Sequence, residues 1–313
     1  MAYTAADQIA GFEALQTLGH GASSTIYAAV DPTDNHVYAI KHVARRTPSD
    51  QRFIDQALVE HETASTLDHP VVRKSYRIIR RRRLVKTSEL YVLMELVEGR
   101  TLEQRRPETP EETAAVFIEA AEGLAYMHSR GFLHCDVKPN NILIGEDGSV
   151  KLIDLGQSCP VNTVKQRVQG TPDYIAPEQV RREVLTARTD VFNLGATMYW
   201  CLTRKHVPTL IPRGEVGTSI GEPRLLTAPS ELNPATPPAL DRLVVQCLAN
   251  QPQDRPAHMR EVVERLKLVD GQRSYQSRRS GDHGGPNGRA GGSSAGGGVE
   301  GSGGQPSAGG GLD

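Results

Sequence analysis

Cysteine is scarce in this chain of 313 residues. The four cysteines, Cys135, Cys159, Cys201 and Cys247, form no C-x-x-C pair and have no spacing typical of metal ligands. The pattern therefore argues against a disulfide framework and against a cysteine metal site. The beginning of the chain also lacks the basic and then apolar pattern of a signal segment. We expect a reducing, cytoplasmic setting.

Long apolar runs and a strong net charge are also missing. The longest apolar candidate, around Leu194 to Leu202, has the length of a buried helix and falls well short of the roughly 20 residues that cross a bilayer. The formal net charge is −1, so the whole chain is not attracted to nucleic acid or to an anionic membrane. We expect no membrane span, and we look for charged partners only at local patches.

The last segment, Gly271 to Asp313, has almost no large apolar residues. Of the 30 glycines in the chain, 15 lie at or after Gly281, mixed with Ser, Pro and scattered charges. Such a composition cannot bury enough apolar surface to offset the entropy lost on ordering. The pattern predicts a Gly/Ser-rich disordered tail over residues 271–313.

Before the tail, the pattern of apolar residues changes once, near Val97. Up to that point, short stretches of β-branched or alternating apolar residues predict strands: Phe12 to Leu18, Thr25 to Val30, Val37 to His42, Ser75 to Arg81 and Leu90 to Leu96. One helix is predicted among them, from Ser49 to Leu67, because apolar residues share one face and Pro70 follows.

After Val97 the patterns are mainly helical. Thr109-Pro110-Glu111-Glu112 is typical of a helix start, and Gly131 of its end. Further helices are predicted at Asp190 to Leu202, Ala239 to Leu248 and Ala257 to Val269, with a long irregular connection from Pro208 to Pro238. The expected fold is α+β and bilobal. Residues 1–11 form an extension, 12–97 a small β-rich lobe with one key helix, and 98–270 a larger, mainly helical lobe.

A cluster of polar residues stands between the short apolar runs from His134 to Gly156. Asp136, Lys138 and Asn141 precede Ile142-Leu143-Ile144, and Asp154 follows Val150-Lys151-Leu152-Ile153. If the two runs are strands of one hairpin, these four side chains converge. Transfer of a γ-phosphoryl group needs such a set: a carboxylate for the attacking hydroxyl, a Lys against phosphate charge, and hard oxygen ligands for magnesium.

A glycine-containing segment lies between the first two long strands. It reads Leu18-Gly19-His20-Gly21-Ala22-Ser23-Ser24, then Thr25-Ile26. Gly19 and Gly21 would let the backbone approach an anionic ligand and offer amides to phosphate oxygens. The third glycine of a G-x-G-x-x-G loop is replaced by Ser24. A simple hairpin turn is the alternative interpretation.

The next strand carries a lysine, in Tyr38-Ala39-Ile40-Lys41. Lys41 could reach the α- and β-phosphates of a nucleotide, held by an ion pair with a Glu of the predicted helix. Glu60 is our choice because it lies on the face defined by Phe53 and Ala57, and Glu62 is the rival.

Taken in order, these motifs resemble those of eukaryotic-like (Hanks-type) serine/threonine protein kinases. The resemblance covers about Phe12 to Leu268. It rests on the Gly-rich loop, Lys41, Glu60, the connecting segment Met94-Glu95-Leu96-Val97, His134-Cys135-Asp136 with Asn141, Asp154-Leu155-Gly156 and Ala176-Pro177-Glu178. Asp190 and Arg255 fall where the family has a structural Asp and an Arg that pairs with the A-P-E Glu.

The resemblance implies a role for each of these residues. Asp136 would be the catalytic base or orienting group, Lys138 the phosphate-contacting Lys, and Lys41 with Glu60 the ATP-positioning pair. Asn141 and Asp154 would hold Mg²⁺, with Mn²⁺ as the alternative ion. ATP would lie under Leu18, Gly19, His20, Gly21, Ala22, Ser23 and Ser24. Its adenine would bond to the backbone of Glu95 and Val97, between apolar walls formed by Ile26, Ala39, Met94 and Leu143.

Two features resemble the serine/threonine branch of the family. Lys138 stands two residues after the proposed base, and Gly170-Thr171-Pro172-Asp173 leads into the A-P-E block. In that branch the Thr hydroxyl bridges to the Asp and Lys of the catalytic loop. The implied acceptor is a protein Ser or Thr. A small-molecule kinase is the weaker alternative, since such kinases usually lack the A-P-E block.

Three residues depart from the family pattern. Cys135 replaces the Arg of H-R-D, so the charge that normally receives an activation-loop phosphate is missing, although Ser158, Thr163 and Thr171 supply hydroxyls there. Leu155 replaces Phe and keeps an apolar side chain, and Ser24 replaces a loop glycine. We expect a kinase of the non-RD type that acts in signalling. The alternative is a nucleotide-binding pseudokinase or scaffold that acts through its basic hairpin or its tail.

A run of basic residues is not explained by catalysis. It consists of Arg73, Lys74, Arg77, Arg80 to Arg83 and Lys86. The run is either a solvated face or a docking surface at Arg80–Arg83 for an acidic partner. Nucleic acid is disfavoured because Tyr76 is the only aromatic residue interleaved with the run.

Overall fold

The computed structural model describes residues 8–21, 23–83, 86–208, 210 and 225–269. These residues lie in one compact unit, which extends to Ser274. Several expectations fall outside the described residues: most of the N-terminal extension, Ala22, half of the irregular connection after Pro208, and the Gly-rich tail.

The first lobe is built on a six-stranded antiparallel sheet in the order β1-β2-β3-β4-β6-β5. Its strands are β1 (Gln8–Ile9), β2 (Phe12–His20), β3 (Ser24–Val30), β4 (Val37–Ala44), β5 (Ser75–Arg83) and β6 (Lys86–Glu95). The predicted strands are all present, and Gln8–Ile9 of the expected extension pairs with β2. Helix α1 (Gln51–Ala64) begins and ends within the predicted helix.

Helix α1 packs on the sheet through an apolar layer. Ile54 and Ala57 on the helix are buried against Ala39, Val43, Leu90, Val92 and Met94. Burial of each large aliphatic side chain contributes about 1.5–3 kcal/mol, so the helix is held by its apolar face. This layer fixes the position of the helix face that carries Glu60.

The second lobe is mainly helical, as predicted. Its helices are α2 (Pro110–Ser129), α3 (Pro177–Arg181), α4 (Ala187–Thr203), α5 (Pro229–Leu232), α6 (Pro238–Cys247) and α7 (259–269). The short strands of this part of the chain are β7 (Gly99–Thr101), β8 (Phe132–Leu133), β9 (Ile142–Gly145), β10 (Val150–Leu152) and β11 (Cys159–Pro160). A 3-10 turn, Pro139–Asn141, leads directly into β9.

Helix α2 illustrates how local signals set these elements. The Thr109 hydroxyl accepts a hydrogen bond from the backbone N–H of Glu112, and Pro110 occupies the first turn. Gly131, with φ of 85°, follows the end of the helix. Phe117, Ala121 and Leu124 face a core shared with α4, α6 and α7. Within the described ranges, no helix is both long and apolar enough to cross a membrane.

Candidate active site

The loop from His134 to Asn141, which we call the catalytic loop, joins β8 to β9. Its backbone is held from below by Asp190 in the first turn of α4. Asp190 is fully buried and accepts hydrogen bonds from the backbone N–H groups of His134 and Cys135, both at 2.8 Å. The Asp190 carboxylate also lies 2.8 Å from His128 Nε2. These contacts give Asp190 the structural position that the family resemblance implied.

Burial acts to raise the pKa of Asp190, but the His128 contact and the backbone donors outweigh it, and the pKa lies below its ordinary value. Gln179 on α3 holds the loop from the other side, because its amide donates to the Cys135 carbonyl at 2.8 Å. Sequence reasoning did not identify Gln179, whose signal is only its place beside the A-P-E block.

The side chains of Asp136, Lys138 and Thr171 form a closed triangle. The Thr171 hydroxyl donates to Asp136 Oδ1 at 2.8 Å and accepts from Lys138 Nζ at 2.8 Å. Lys138 Nζ also lies 2.8 Å from Asp136 Oδ2. The triangle joins two residues of the catalytic loop to a residue that lies more than thirty positions later in the chain.

Asn141 completes the loop and turns toward the same carboxylate. Its amide nitrogen donates to the Asp136 carbonyl at 2.8 Å and to Asp136 Oδ2 at 3.3 Å. The amide oxygen of Asn141 takes no part in these two hydrogen bonds, so it is the atom that could bind the expected metal ion. Antiparallel pairing of β9 with β10 brings Asp154 back toward the loop, in the hairpin that the sequence predicted.

Lys41 and Glu60 form a short ion pair across the first lobe. Lys41 Nζ lies 2.6 Å from Glu60 Oε2, and only 2% of the Glu60 side chain is exposed. Glu62 is exposed, so the structure pairs Lys41 with the first choice and not with its rival. Lys41 Nζ also lies 3.6 Å from Asp154 Oδ1, which links the two lobes at the candidate site.

The charges of this group shift each other's titration. Burial acts to lower the pKa of Lys41, but the carboxylates of Asp154 and Glu60 raise it above its ordinary value. The charge of Lys41 is the main reason that the pKa of Asp154 falls from 3.8 to about 2. Both groups are therefore charged at neutral pH, as phosphate and metal binding require.

Arg73 is the residue that sequence reasoning placed wrongly. The sequence puts it in the basic run, yet its side chain is only 10% exposed and donates to Glu60 Oε1 at 3.0 Å. The backbone of this segment is held against β10, because Val72 forms a β-bridge with Leu152 and the Arg73 N–H donates to the Leu152 carbonyl at 3.1 Å. The available signal was the apolar pair Val71 and Val72 directly before Arg73, which marks the start of a buried segment.

The rest of the basic run lies on β5 and β6, apart from Lys74 directly before β5, and some of its members have partners. Arg77 contacts Asp31 at 3.1 Å, Arg81 contacts Glu89 at 3.4 Å and Lys74 contacts Asp68 at 2.9 Å. Arg80, Arg82, Arg83 and Lys86 are exposed, and they are not paired with a carboxylate in the part of the chain that is described.

The glycine-containing segment is the end of the β2–β3 hairpin, so the hairpin alternative describes its backbone. Leu18, Gly19 and His20 lie in β2, Ser24 begins β3, and the Gly21 N–H donates to the Ser24 carbonyl at 2.7 Å. A Cβ atom at Gly19 would meet nothing within 4 Å. The fold itself therefore does not require glycine at that position.

The expected adenine walls come from four strands, three of which are neighbours in the first sheet. Ala39 pairs with Met94 across β4 and β6, Ile26 pairs with Lys41 across β3 and β4, and Leu143 lies in β9. The expected backbone contact of Glu95 needs a refinement. The Glu95 N–H already donates to the Lys74 carbonyl at 3.0 Å, which leaves its carbonyl for a ligand, with Val97 two residues further on.

Two residues of the site have unusual backbone conformations. Cys135 and Asp154, neither of them glycine, have φ of 63° and 62°. Such conformations cost about 1–3 kcal/mol each and persist where surrounding contacts impose them, often at functional sites. Both residues border the side chains assembled here.

The donor set fits a magnesium ion that is shared with phosphates. Asn141 and Asp154 supply hard oxygen atoms, and Mg²⁺ usually takes one or two carboxylates together with waters and substrate phosphates. Among the described residues, no group of three or more His, Cys, Asp or Glu side chains forms a cage for a metal.

Comparison with known proteins decides the family. The family described as the protein kinase domain matches residues 12–266. The chain belongs to the protein kinase family. Its kinase domain is 33% identical over 249 residues to the serine/threonine-protein kinase PknL of Mycobacterium tuberculosis, covering 76% of this chain and 60% of PknL.

Two further relatives of this kinase domain carry similar names. It is 29% identical over 256 residues to serine/threonine-protein kinase PrkC of Bacillus subtilis, covering 78% of this chain and 38% of PrkC. It is 30% identical over 263 residues to serine/threonine-protein kinase PknB of Mycolicibacterium smegmatis, covering 78% of this chain and 40% of PknB. The chain thus spans 60% or less of the length of these relatives.

The kinase domain is anchored below the site by a buried ion pair. Glu178 of the A-P-E block accepts two hydrogen bonds from Arg255, at 2.8 and 3.0 Å. The two side chains are at most 2% exposed. This is the pairing that the family resemblance implied.

Proposed function

We propose that this chain is an ATP-dependent protein kinase that transfers the γ-phosphoryl group of Mg-ATP to a Ser or Thr hydroxyl of a protein. The observation that carries the proposal is the triangle in which Thr171 bridges Asp136 and Lys138. It supports the serine/threonine branch because it joins the catalytic loop to the segment before the A-P-E block. The names of the relatives support the same choice.

The proposed roles follow from the charges and contacts. Asp136 orients the acceptor hydroxyl and takes its proton as the new P–O bond forms and the bond to the leaving phosphate breaks. Lys138 and Lys41 offset the negative charge of the phosphates, and Glu60 holds Lys41 in place. Asn141 and Asp154 would hold Mg²⁺, which neutralises the charge on the leaving oxygen, and Mn²⁺ has the same ligand preferences.

The direct test measures phosphate incorporation from labelled ATP into the chain itself and into a generic Ser/Thr protein, with Mg²⁺ or Mn²⁺. We expect signal from the natural chain and its loss in Asp154→Asn, which keeps the size of the side chain and removes its charge. Absence of signal from both proteins, together with retained ATP binding, would support the nucleotide-binding scaffold instead.

We propose that activity is of the non-RD type and does not depend on phosphorylation of the activation segment, defined here as residues 154–178. Cys135 offers no charge to a phosphate, and Ser158, expected as an available hydroxyl, is only 7% exposed. The double variant Ser158→Ala, Thr163→Ala should keep turnover within about tenfold. A larger loss with unchanged stability would contradict this proposal.

The basic surface at Arg80–Arg83 of β5 is proposed to dock an acidic segment of a signalling partner. Its support is the group of exposed cations, Arg80, Arg82, Arg83 and Lys86. Replacing Arg80 to Arg83 by Gln should weaken binding of a Glu-rich peptide and leave turnover of a generic substrate unchanged. If turnover of the generic substrate is abolished, the docking proposal fails. We also propose a cytoplasmic site of action, since the four cysteines are free thiols.

A further inference from the structure

Two thiols face each other at the junction of the catalytic loop and the activation segment. Cys135 Sγ and Cys159 Sγ lie 3.5 Å apart, and both side chains are buried. They share a small apolar cluster with Leu133 and Leu185. The other two cysteines, Cys201 and Cys247, lie in the separate core of the helical lobe.

The backbone around this pair is held in place from several directions. Cys159 in β11 pairs with Leu133 in β8, two residues before Cys135. The Cys135 N–H donates to Asp190, and its carbonyl accepts from Gln179, each at 2.8 Å. The left-handed conformation of Cys135 turns the chain between these anchors. The thiols therefore meet because the strand pairing and the loop anchors bring them together.

The two sulfur atoms are close enough to bond after small side-chain rotations. A disulfide needs a separation of about 2.05 Å, so the sulfurs must approach by about 1.5 Å. The backbones of the two segments run side by side, since Cys159 pairs with Leu133. A bond here would close a loop from residue 135 to residue 159, which contains Asp136, Lys138, Asn141 and Asp154.

The thiols differ in reactivity. The hydrogen bond from Cys135 lowers the pKa of Cys159, with help from the charge of Lys165. The same contact and burial raise the pKa of Cys135. Cys159 is also the more accessible thiol, at 8% exposed against 0% for Cys135. Cys159 is thus the thiol that would react first, with Cys135 as its resolving partner.

We propose that Cys135 and Cys159 are a peroxide-sensitive dithiol site that closes to a disulfide between the catalytic loop and the activation segment. The Cys159 sulfur attacks one oxygen of hydrogen peroxide, the O–O bond breaks, and a sulfenic acid and one water form. The Cys135 sulfur then attacks the sulfenic sulfur, the S–O bond breaks, and a second water leaves with the Cys135 proton. Two thiols are oxidised by two electrons, and one peroxide is reduced to two waters.

The proposed regulatory consequence rests on the proposed kinase function. Where the family has an Arg that can hold a phosphorylated activation segment, this chain has a thiol that can hold the segment by a covalent bond. The disulfide would join the catalytic loop to the activation segment where the two already contact each other. In this same arrangement Thr171 bridges Asp136 and Lys138. Oxidation should therefore hold the segment in the assembled arrangement, and turnover should be retained or raised in the oxidised protein.

The test treats the full chain with one equivalent of hydrogen peroxide, blocks free thiols with an alkylating reagent, and identifies linked peptides by mass spectrometry without reductant. We expect a peptide pair joined through Cys135 and Cys159, two hydrogens lighter than the separate peptides and released by dithiothreitol. Cys159→Ser should abolish the link, while Cys201→Ser and Cys247→Ser should not. Separate alkylation of both thiols, overoxidation of Cys159 without a link, or a link to another cysteine would overturn the proposal.

A second measurement does not depend on phosphoryl transfer or on any variant. Closing a loop of this length should raise the unfolding temperature of the oxidised chain by about 6–12 °C, reversibly. No rise, or a fall, would overturn the proposed tether even if the linked peptide is found. If the link and the rise are present but labelled ATP yields no signal in either redox state, the proposed kinase function fails and the dithiol site stands.

Discussion

The catalytic loop and the glycine-containing loop belong to the same candidate site, yet the protein holds them in different ways. His134, Cys135, Asp136 and Val137 are buried, and their backbone is bonded to α3 and α4. Leu18 and Gly21 are exposed, and the described backbone hydrogen bonds of this hairpin end come from the neighbouring strands of the same sheet, including one from the Ala44 N–H of β4 to the Ser23 carbonyl. The difference indicates that the fold fixes the loop whose side chains are proposed to take part in phosphoryl transfer. The loop that is proposed to cover the nucleotide remains exposed.

The largest expected effect comes from removing the anchor beneath the catalytic loop. Arg255→Met leaves Glu178 as a buried charge without its partner, and we expect a loss of about 3–5 kcal/mol in the free energy of unfolding. Denaturant unfolding measures it. Arg265→Met is the matched control, because its contact with Glu261 is at 3.6 Å and about 30% exposed, so its cost should be about 0–1 kcal/mol. Equal losses in the free energy of unfolding of the two variants would contradict this comparison, because the buried ion pair would then contribute no more to stability than the exposed one.

Asp190→Asn tests the support of the catalytic loop more directly. An amide cannot accept all the hydrogen bonds that the Asp190 carboxylate receives from His134, Cys135 and His128. We expect kcat to fall by about 10- to 100-fold through misplacement of Asp136, with a smaller change in KM for ATP.

The control for Asp190 is Asp241→Asn, which also weakens a carboxylate contact to a backbone N–H, that of Ser230 at 2.8 Å, outside the site. It should lower stability without this loss of kcat. A change confined to KM in Asp190→Asn would show that the loop does not need this support.

Acid unfolding should distinguish two carboxylates of the site. The pKa of Asp190 and that of Asp154 are both below the ordinary 3.8, Asp154 at about 2. Each group therefore contributes stability that is present above pH 3.8 and is lost as the pH falls through the lowered pKa. Asp190→Asn should flatten the dependence of stability on pH below the ordinary Asp pKa of 3.8.

Asp154→Asn should flatten the same dependence less, because 45% of the Asp154 side chain is exposed and solvent screens its interactions. Stability is measured by denaturant unfolding at each pH. If Asp154→Asn flattened the pH dependence more than Asp190→Asn, the partly exposed carboxylate would contribute more to stability than the buried one, which would contradict this prediction.

Arg73→Met tests whether the ion pair of Lys41 and Glu60 needs its second cation. Without Arg73, Glu60 loses one of two partners, and we expect KM for ATP to rise about fivefold, with a smaller change in kcat. Arg77→Met is the control, since it removes a neighbouring arginine that is 57% exposed and contacts Asp31 rather than Glu60. If both variants behave alike, Arg73 is only one more member of the basic run.

The smallest effect is expected in the glycine-containing loop. A Cβ at Gly19 meets nothing within 4 Å, so Gly19→Ala should change stability by less than about 0.5 kcal/mol. It should still raise KM for ATP by about threefold, if the backbone there approaches phosphates. Gly195→Ala is the contrast: its Cβ would lie 2.6 Å from that of Cys247, and we expect a loss of about 1–3 kcal/mol without a specific change in KM.

Much of the fold was predictable because its signals are local. The start of α2 at Thr109 and Pro110, the strands of the first sheet and the β9–β10 hairpin follow from spacing and capping within a few residues. The choice of Glu60 over Glu62 was also local, since the apolar face of α1 decides which Glu points toward Lys41. These predictions needed only the periods of helices and strands.

Contacts between distant segments could not be predicted in the same way. Arg73 belongs to a basic run by sequence, yet its side chain contacts the buried Glu60, in a segment that is bridged through Val72 to Leu152, eighty positions later. The Glu95 N–H donates a hydrogen bond to the Lys74 carbonyl, so only part of the backbone contact expected with adenine is open to a ligand. These contacts depend on which surfaces of distant segments pack together. The local periodicity of the sequence carries no information about that packing.

The sequence by itself determined the two lobes, the order of the motifs and the residue types of a phosphoryl-transfer site, because these follow from short-range patterns and side-chain chemistry. Only the tertiary structure decided that Arg73 supports Glu60 and that Cys135 meets Cys159. It also supplied the distances of the triangle of Thr171, Asp136 and Lys138, which the family resemblance had implied. Each of these contacts joins segments that are separated along the chain. Their distances are set by the packing of strands and helices against a common core.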